Sequence, residues 1–169
     1  MQGKGIYTTS SGYRYTGSFI NNKPEGYGEL ISPTGQVYKG EFKSGSMEGD
    51  GEMLYPDGRR YIGSFKENNR EGQGTMSYPA GEQYGEGSQY NGYWKLNKRN
   101  GRGKIIYFDD GRILKGEFKE NILVKNQPLD FLIECRVFLR VRIKGMEHRL
   151  ALGKALEGFP GIAKHDTTG

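Results

Sequence analysis

Cysteine is almost missing from this chain. Cys135 stands alone, so an intrachain disulfide framework is excluded, and there is no Cys/His cluster to hold zinc. Histidine is equally scarce, with His148 and His165 both late in the sequence. No Ser/His/Asp or Cys/His nucleophile arrangement can be assembled from so few. Long apolar runs are missing too: none approaches the roughly 18 residues that cross a bilayer as a helix, and the N-terminus does not read as a signal peptide. Only 34% of the chain is hydrophobic and mean hydropathy is −0.79, thin for a deep two-layer core. Charge of one sign is not in excess either. Residues 1–125 carry 18 basic and 15 acidic side chains within a total of +5, which argues against a broad nucleic-acid surface. The expectation is a soluble, cytoplasmic protein that is not an enzyme, holds no metal or cofactor and binds no nucleic acid.

What is abundant is glycine, 28 residues, together with 12 tyrosines and 8 phenylalanines. They recur in register. Tyr-x-Gly-x-aromatic occurs at Tyr15/Gly17/Phe19, Tyr38/Gly40/Phe42, Tyr61/Gly63/Phe65 and Tyr90/Gly92/Trp94, with a fifth copy at Leu114/Gly116/Phe118. Gly-x-Gly occurs at Gly3/Gly5, Gly26/Gly28, Gly49/Gly51, Gly72/Gly74 and Gly101/Gly103. The regular step is 23 residues, and each aromatic precedes the next glycine by seven.

Within one period, Tyr38 to Lys43 alternates apolar or small residues with charges, the pattern of a strand with one buried face. Ser44-Gly45-Ser46 breaks the chain. Gly49, Gly51, Met53 and Tyr55 then share one face of a second strand, and Pro56-Asp57-Gly58 closes a turn. Each repeat is thus predicted to be a β-hairpin, and consecutive hairpins to join into one antiparallel sheet. Register is well specified, because Tyr7, Leu30, Met53, Met76 and Ile105 all stand two positions after the second glycine. Strand glycines normally weaken a sheet, so their recurrence needs a reason: a missing side chain leaves a seat for a neighbouring ring.

This pattern resembles MORN (membrane occupation and recognition nexus) repeats over about residues 3–119. The resemblance implies an elongated, twisted sheet of hairpins with an aromatic-lined groove. It also implies an assembly module, of the kind found in ciliary, flagellar and cytoskeletal proteins, membrane junctions, lipid kinases and a SET-domain methyltransferase. Tyr15, Phe19, Tyr38, Phe42, Tyr61, Phe65, Tyr90, Trp94 and Phe118 share a parity and are expected to line one face. They can support the fold, receive an extended peptide or amphipathic helix of a partner protein, or do both if each ring keeps one side open. The alternatives are peripheral attachment to an acidic phospholipid membrane and an accessory segment of a larger enzyme.

The array starts on an unpaired second strand, so residues 3–9 are expected at a sheet edge that could self-associate. After Tyr78 the period stretches to 29, and Gly85 to Gln89 reads as an enlarged hairpin loop. Lys95, Lys98, Arg99, Arg102 and Lys104 follow Trp94 as a solvated turn or a small anionic contact. Beyond residue 125 the pattern ends. There a strand over 131–143 and a helix over 146–157 are expected to cap the array.

Overall fold

The structure, a computed structural model, describes residues 2–126, which lie within the first of two compact units, Met1–Leu129. The expected strand at 131–143, the helix at 146–157, Cys135 and both histidines lie outside the described residues.

Eleven strands follow one another: β1 (Gly3–Thr8), β2 (Arg14–Ile20), β3 (Lys23–Ile31), β4 (Val37–Lys43), β5 (Ser46–Leu54), β6 (Arg60–Lys66), β7 (Asn69–Tyr78), β8 (Ser88–Lys95), β9 (Lys98–Tyr107), β10 (Ile113–Lys119) and β11 (Ile122–Asn126). Each pairs antiparallel with the next, giving a single open sheet in chain order, as the repeat pattern predicts. Glycines face glycines from strand to strand: Gly17 opposes Gly28, Gly28 opposes Gly40, Gly40 opposes Gly51, and the row runs on to Gly103 and Gly116. A seam without side chains therefore crosses the sheet, and the rings lie over it.

The hairpin tips are two-residue loops. Asn21-Asn22, Ser44-Gly45, Glu67-Asn68, Leu96-Asn97 and Glu120-Asn121 all have positive φ at both positions, the conformation whose twist matches the flanking strands. The three-residue break expected at Ser44-Gly45-Ser46 is thus one residue too long, because Ser46 pairs with Lys43.

Tips are tied to the hairpin before them. The amide oxygens of Asn68, Asn97 and Asn121 accept the backbone N–H of Met47 (2.8 Å), Arg70 (2.9 Å) and Arg99 (2.9 Å). The carboxylates of Glu25, Glu48 and Glu71 accept the N–H of Ser44, Glu67 and Leu96 at 2.8–3.0 Å. Backbone donors that the left-handed loops would leave unpaired are thereby satisfied. Asn97→Ala is expected to cost about 2 kcal/mol, through lost hydrogen bonds and a strained left-handed alanine. Asn97→Gly keeps the conformation and is expected to cost about half as much. Thermal unfolding of the two variants checks this; equal losses would remove the conformational part.

The long period leaves the sheet undisturbed. Tyr78 opposes Ser88, and β7 pairs with β8 without a shift. The extra residues therefore form a loop over 79–87, whereas Ser88 and Gln89, expected in that loop, belong to β8. The loop folds back on the preceding turn, where the Tyr84 hydroxyl donates to Asp57 Oδ2 at 3.0 Å.

Candidate functional site

Strand parity puts tyrosine, glycine and aromatic of every repeat on one face, and the rings there build a continuous zigzag. Tyr15 meets Phe19 and Phe42; Tyr38 meets Phe42 and Phe65; Tyr61 meets Phe65 and Trp94; Tyr90 meets Trp94 and Phe118. Centroids lie 4.9–5.4 Å apart with planes at 78–89°, the edge-to-face geometry that aromatic quadrupoles favour. All nine rings singled out from sequence are in this ladder.

Each tyrosine lies across the two glycines of its own hairpin. A Cβ at Gly17 or Gly28 would fall within 2.7 Å of Tyr15, and Gly40 with Gly51, Gly63 with Gly74, and Gly92 with Gly103 seat Tyr38, Tyr61 and Tyr90 as closely. The hydroxyl of each tyrosine then donates to the carbonyl three residues on: Ser18, Glu41, Ser64 and Tyr93, at 2.9–3.0 Å. Trp94 satisfies its indole N–H on the Gly74 carbonyl at 3.1 Å. At the fifth hairpin, where Leu114 replaces tyrosine, Leu123 fills the seat over Gly116.

The ladder is more closed than the sequence implies. The nine rings are 0–4% exposed, so they do not keep an open second side. Phenylalanine or tryptophan from the same and the following repeat covers it. Burial accordingly raises the pKa of the Tyr15, Tyr38, Tyr61 and Tyr90 hydroxyls, that of Tyr90 to about 12.

The ladder is flanked by the residue five positions after each aromatic, a recurrence the sequence reading did not single out although it named Arg99 as an anionic contact. This position holds Pro24, Met47, Arg70, Arg99 and Leu123. The Arg70 guanidinium lies 4.6 Å from the Trp94 ring centre and 5.6 Å from that of Tyr61; Arg99 lies 5.5 Å from both Tyr90 and Phe118. Both arginines also donate to tip carbonyls, of Asn97 and Asn121. They roof the ladder over the third and fourth repeats. Pro24 and Met47 are shorter and apolar, yet the rings of the first two repeats are as buried, at 1–4% exposed, as those beneath the arginines.

Two adjoining depressions lie over the first two repeats. One of about 460 Å3 is lined by Tyr7, Thr9, Tyr13, Tyr15, Phe19, Asn22, Pro24 and Leu30. The other, about 290 Å3, is lined by Tyr13, Leu30, Ser32, Thr34, Gln36, Tyr38, Met47 and Met53. They occupy equivalent places one repeat apart and share Tyr13 and Leu30. Tyr15, Phe19 and Tyr38 form their floor, while the rim is made of hydroxyls and amides without a charge. The fixed offset of five residues is the signal that could have located this boundary.

The five basic residues expected as an anionic contact are dispersed. Arg99 is engaged with the ladder, and Lys98 reaches Glu120 at 3.4 Å near the hairpin tip that holds Lys95. Arg102 and Lys104 stand on the opposite, polar face. Among the described residues no group of three or more His, Cys, Asp or Glu could hold a metal ion, and no helix is long and apolar enough to cross a membrane.

An open sheet of hairpins with a glycine seam and an edge-to-face aromatic ladder defines a class: a β-hairpin repeat array. The MORN repeat family matches residues 15–37, 38–59, 61–83 and 90–112, more than half of the chain, and the protein belongs to that family. No curated protein matches the chain. MORN repeats are generally non-catalytic modules that interact with proteins or membranes. The matched segments omit 84–89, the span that contains Tyr84, the last four residues of the 79–87 loop and the start of β8.

Proposed function

We propose that this protein is a non-enzymatic scaffold that holds an apolar segment of a partner protein in the groove above β1–β5. One observation carries the reading: two adjoining depressions with an aromatic floor and an uncharged polar rim, the composition of a site for a largely hydrophobic segment. The nine ladder rings position the groove, and Tyr7, Tyr13, Leu30, Pro24 and Met47 make its accessible lining. Shared lining at Tyr13 and Leu30 favours a segment that runs across the strands over both repeats. A ciliary, flagellar or cytoskeletal assembly in the cytoplasm is the setting proposed for it.

The test is a peptide library displayed against the full chain. Selected sequences are expected to be rich in apolar residues, with spacing that distinguishes an extended strand from a helix. Tyr13→Ser with Tyr7→Ser, at side chains 43% and 51% exposed, is expected to weaken the selected peptide at least about tenfold while leaving the β-sheet circular dichroism unchanged. Unchanged affinity in that variant would remove the groove. If no peptide is selected and the chain instead pellets with phosphatidylserine vesicles in a salt-sensitive way, membrane attachment replaces this reading.

A further inference from the structure

Five connections join one hairpin to the next, and they begin at Thr9, Ser32, Tyr55, Tyr78 and Tyr107. Each of these residues stands two positions after one that faces a ladder tyrosine, and so shares the ladder's side of the sheet. The first three connections are closed by the same backbone bonds. The N–H of Thr9, Ser32 and Tyr55 donates to the carbonyl of Tyr13, Gln36 and Arg59 at 2.8–2.9 Å, and that of Gly12, Gly35 and Gly58 donates back at 2.9–3.0 Å. They differ in what accepts the next donor. The N–H of Tyr13 and of Gln36 donates to the hydroxyl of Thr9 and Ser32 at 3.0 Å, so these side chains fold into their own turn. The N–H of Arg59 donates instead to Asp57 Oδ1 at 3.1 Å, and that of Arg112, in the fifth connection, to Asp110 Oδ1 at 2.8 Å. With the acceptor supplied from inside the turn, the first position is free to carry a ring.

Those rings take up the ladder face in the later repeats. Tyr55 and Tyr78 pack against the ladder, and each of the three tyrosines has its own cover. Arg59 lies 4.6 Å from the centre of Tyr55, Tyr84 is 5.6 Å from Tyr78, and Arg112 is 4.7 Å from Tyr107. The two depressions lie at the corresponding place in the first two repeats, lined there by Thr9 and Ser32.

We propose that each depression is a seat for one aromatic side chain of the partner, phenylalanine or tyrosine, which takes there the place that Tyr55, Tyr78 and Tyr107 fill from within the chain. The inference rests on the groove proposed above and narrows its ligand from an apolar segment to a pair of aromatic residues. The floor suits a ring, because Tyr15 and Tyr38 offer it aromatic contacts. The rim suits a neutral one. Tyr13 and Gln36 stand where Arg59 stands in the third connection, so the seats present a hydroxyl and an amide rather than a guanidinium, with no charge to match a carboxylate or phosphate. One repeat spans two strands, so the two aromatics are set about 10 Å apart.

The methyl resonances of Met47 and Met53, which line the second depression, report on it in the full chain. N-acetyl-phenylalaninamide and N-acetyl-tyrosinamide at millimolar concentration are expected to shift both, binding at least about threefold more tightly than N-acetyl-leucinamide. The second connection reads Ser32-Pro33-Thr34-Gly35-Gln36 and the third Tyr55-Pro56-Asp57-Gly58-Arg59. Ser32→Tyr/Thr34→Asp/Gln36→Arg therefore copies the third onto the second, and is expected to keep the sheet dichroism and abolish the shifts. The reverse set, Tyr55→Ser/Asp57→Thr/Arg59→Gln, is expected to make Met76 respond. Equal affinity for the leucine amide would leave the groove an apolar site and overturn the aromatic assignment. Shifts that persist in the first variant overturn it as well, and no shift with any of the three amides removes both the seats and the groove.

Discussion

Gly74→Ala is expected to destabilise the array by about 3 kcal/mol, although it adds a single methyl group. The new Cβ would lie 2.2 Å from the Tyr61 hydroxyl and 2.5 Å from two ring carbons. Tyr61 has nowhere to go. Its hydroxyl is bonded to the Ser64 carbonyl, its flanks are held by Phe65 and Trp94, and it is fully buried. Either the ring leaves its rotamer or β7 moves away from β6, and both disturb the next contact in the ladder. Tyr61→Ala is expected to cost about 4 kcal/mol for the opposite reason, an empty seat over the glycine pair. Because the two changes act on the same volume, the double variant should lose clearly less than their sum. Denaturant unfolding of the four proteins measures this, and strict additivity would show that the ring does not rest on the glycine.

Alkaline unfolding is the second large effect. Burial raises the pKa of Tyr15, Tyr38, Tyr61 and Tyr90 above the usual value of 10.0, Tyr90 to about 12. The unfolded chain releases those protons near pH 10, whereas the folded chain still holds them, so their contribution is complete below pH 10 and lost as pH climbs toward the folded values. Each such tyrosine removes about 1.4 kcal/mol of stability per pH unit in that window. Their combined loss should steepen above pH 10 and consume much of a stability of about 5–15 kcal/mol before pH reaches the folded values. Tyrosinate absorbance at the buried sites should therefore rise in the same cooperative step as the loss of sheet dichroism. Tyr38→Phe, which keeps the ring and removes the titration, should shallow the pH dependence. Gradual ionisation with the sheet intact would contradict the burial argument.

The two effects share a cause that the repeat pattern made legible. Glycine at fixed parity with tyrosine has a local physical meaning, since only a missing Cβ admits a ring against the backbone. The strands, their order, the register and the membership of all nine rings in one face follow from spacing within each repeat. The hairpin loops were nearly as readable; Ser44-Gly45 was misjudged by one residue because Ser46 looks like a turn residue until its pairing with Lys43 is seen. The inserted loop was located from the 29-residue step, but Ser88 and Gln89 joined β8 because Tyr78 and Ser77 offered them partners.

By itself, then, the sequence determined the repeat, the β-hairpin, the antiparallel order and the seat of each ring, because these depend on neighbours a few residues away. Only the tertiary structure decided how far the ladder is closed, since that depends on which side chain of one hairpin lies over the rings of another. Pro24 and Met47 line two depressions over the first two repeats, while Arg70 and Arg99 reach across to rings 24 residues or less away in sequence but on separate strands.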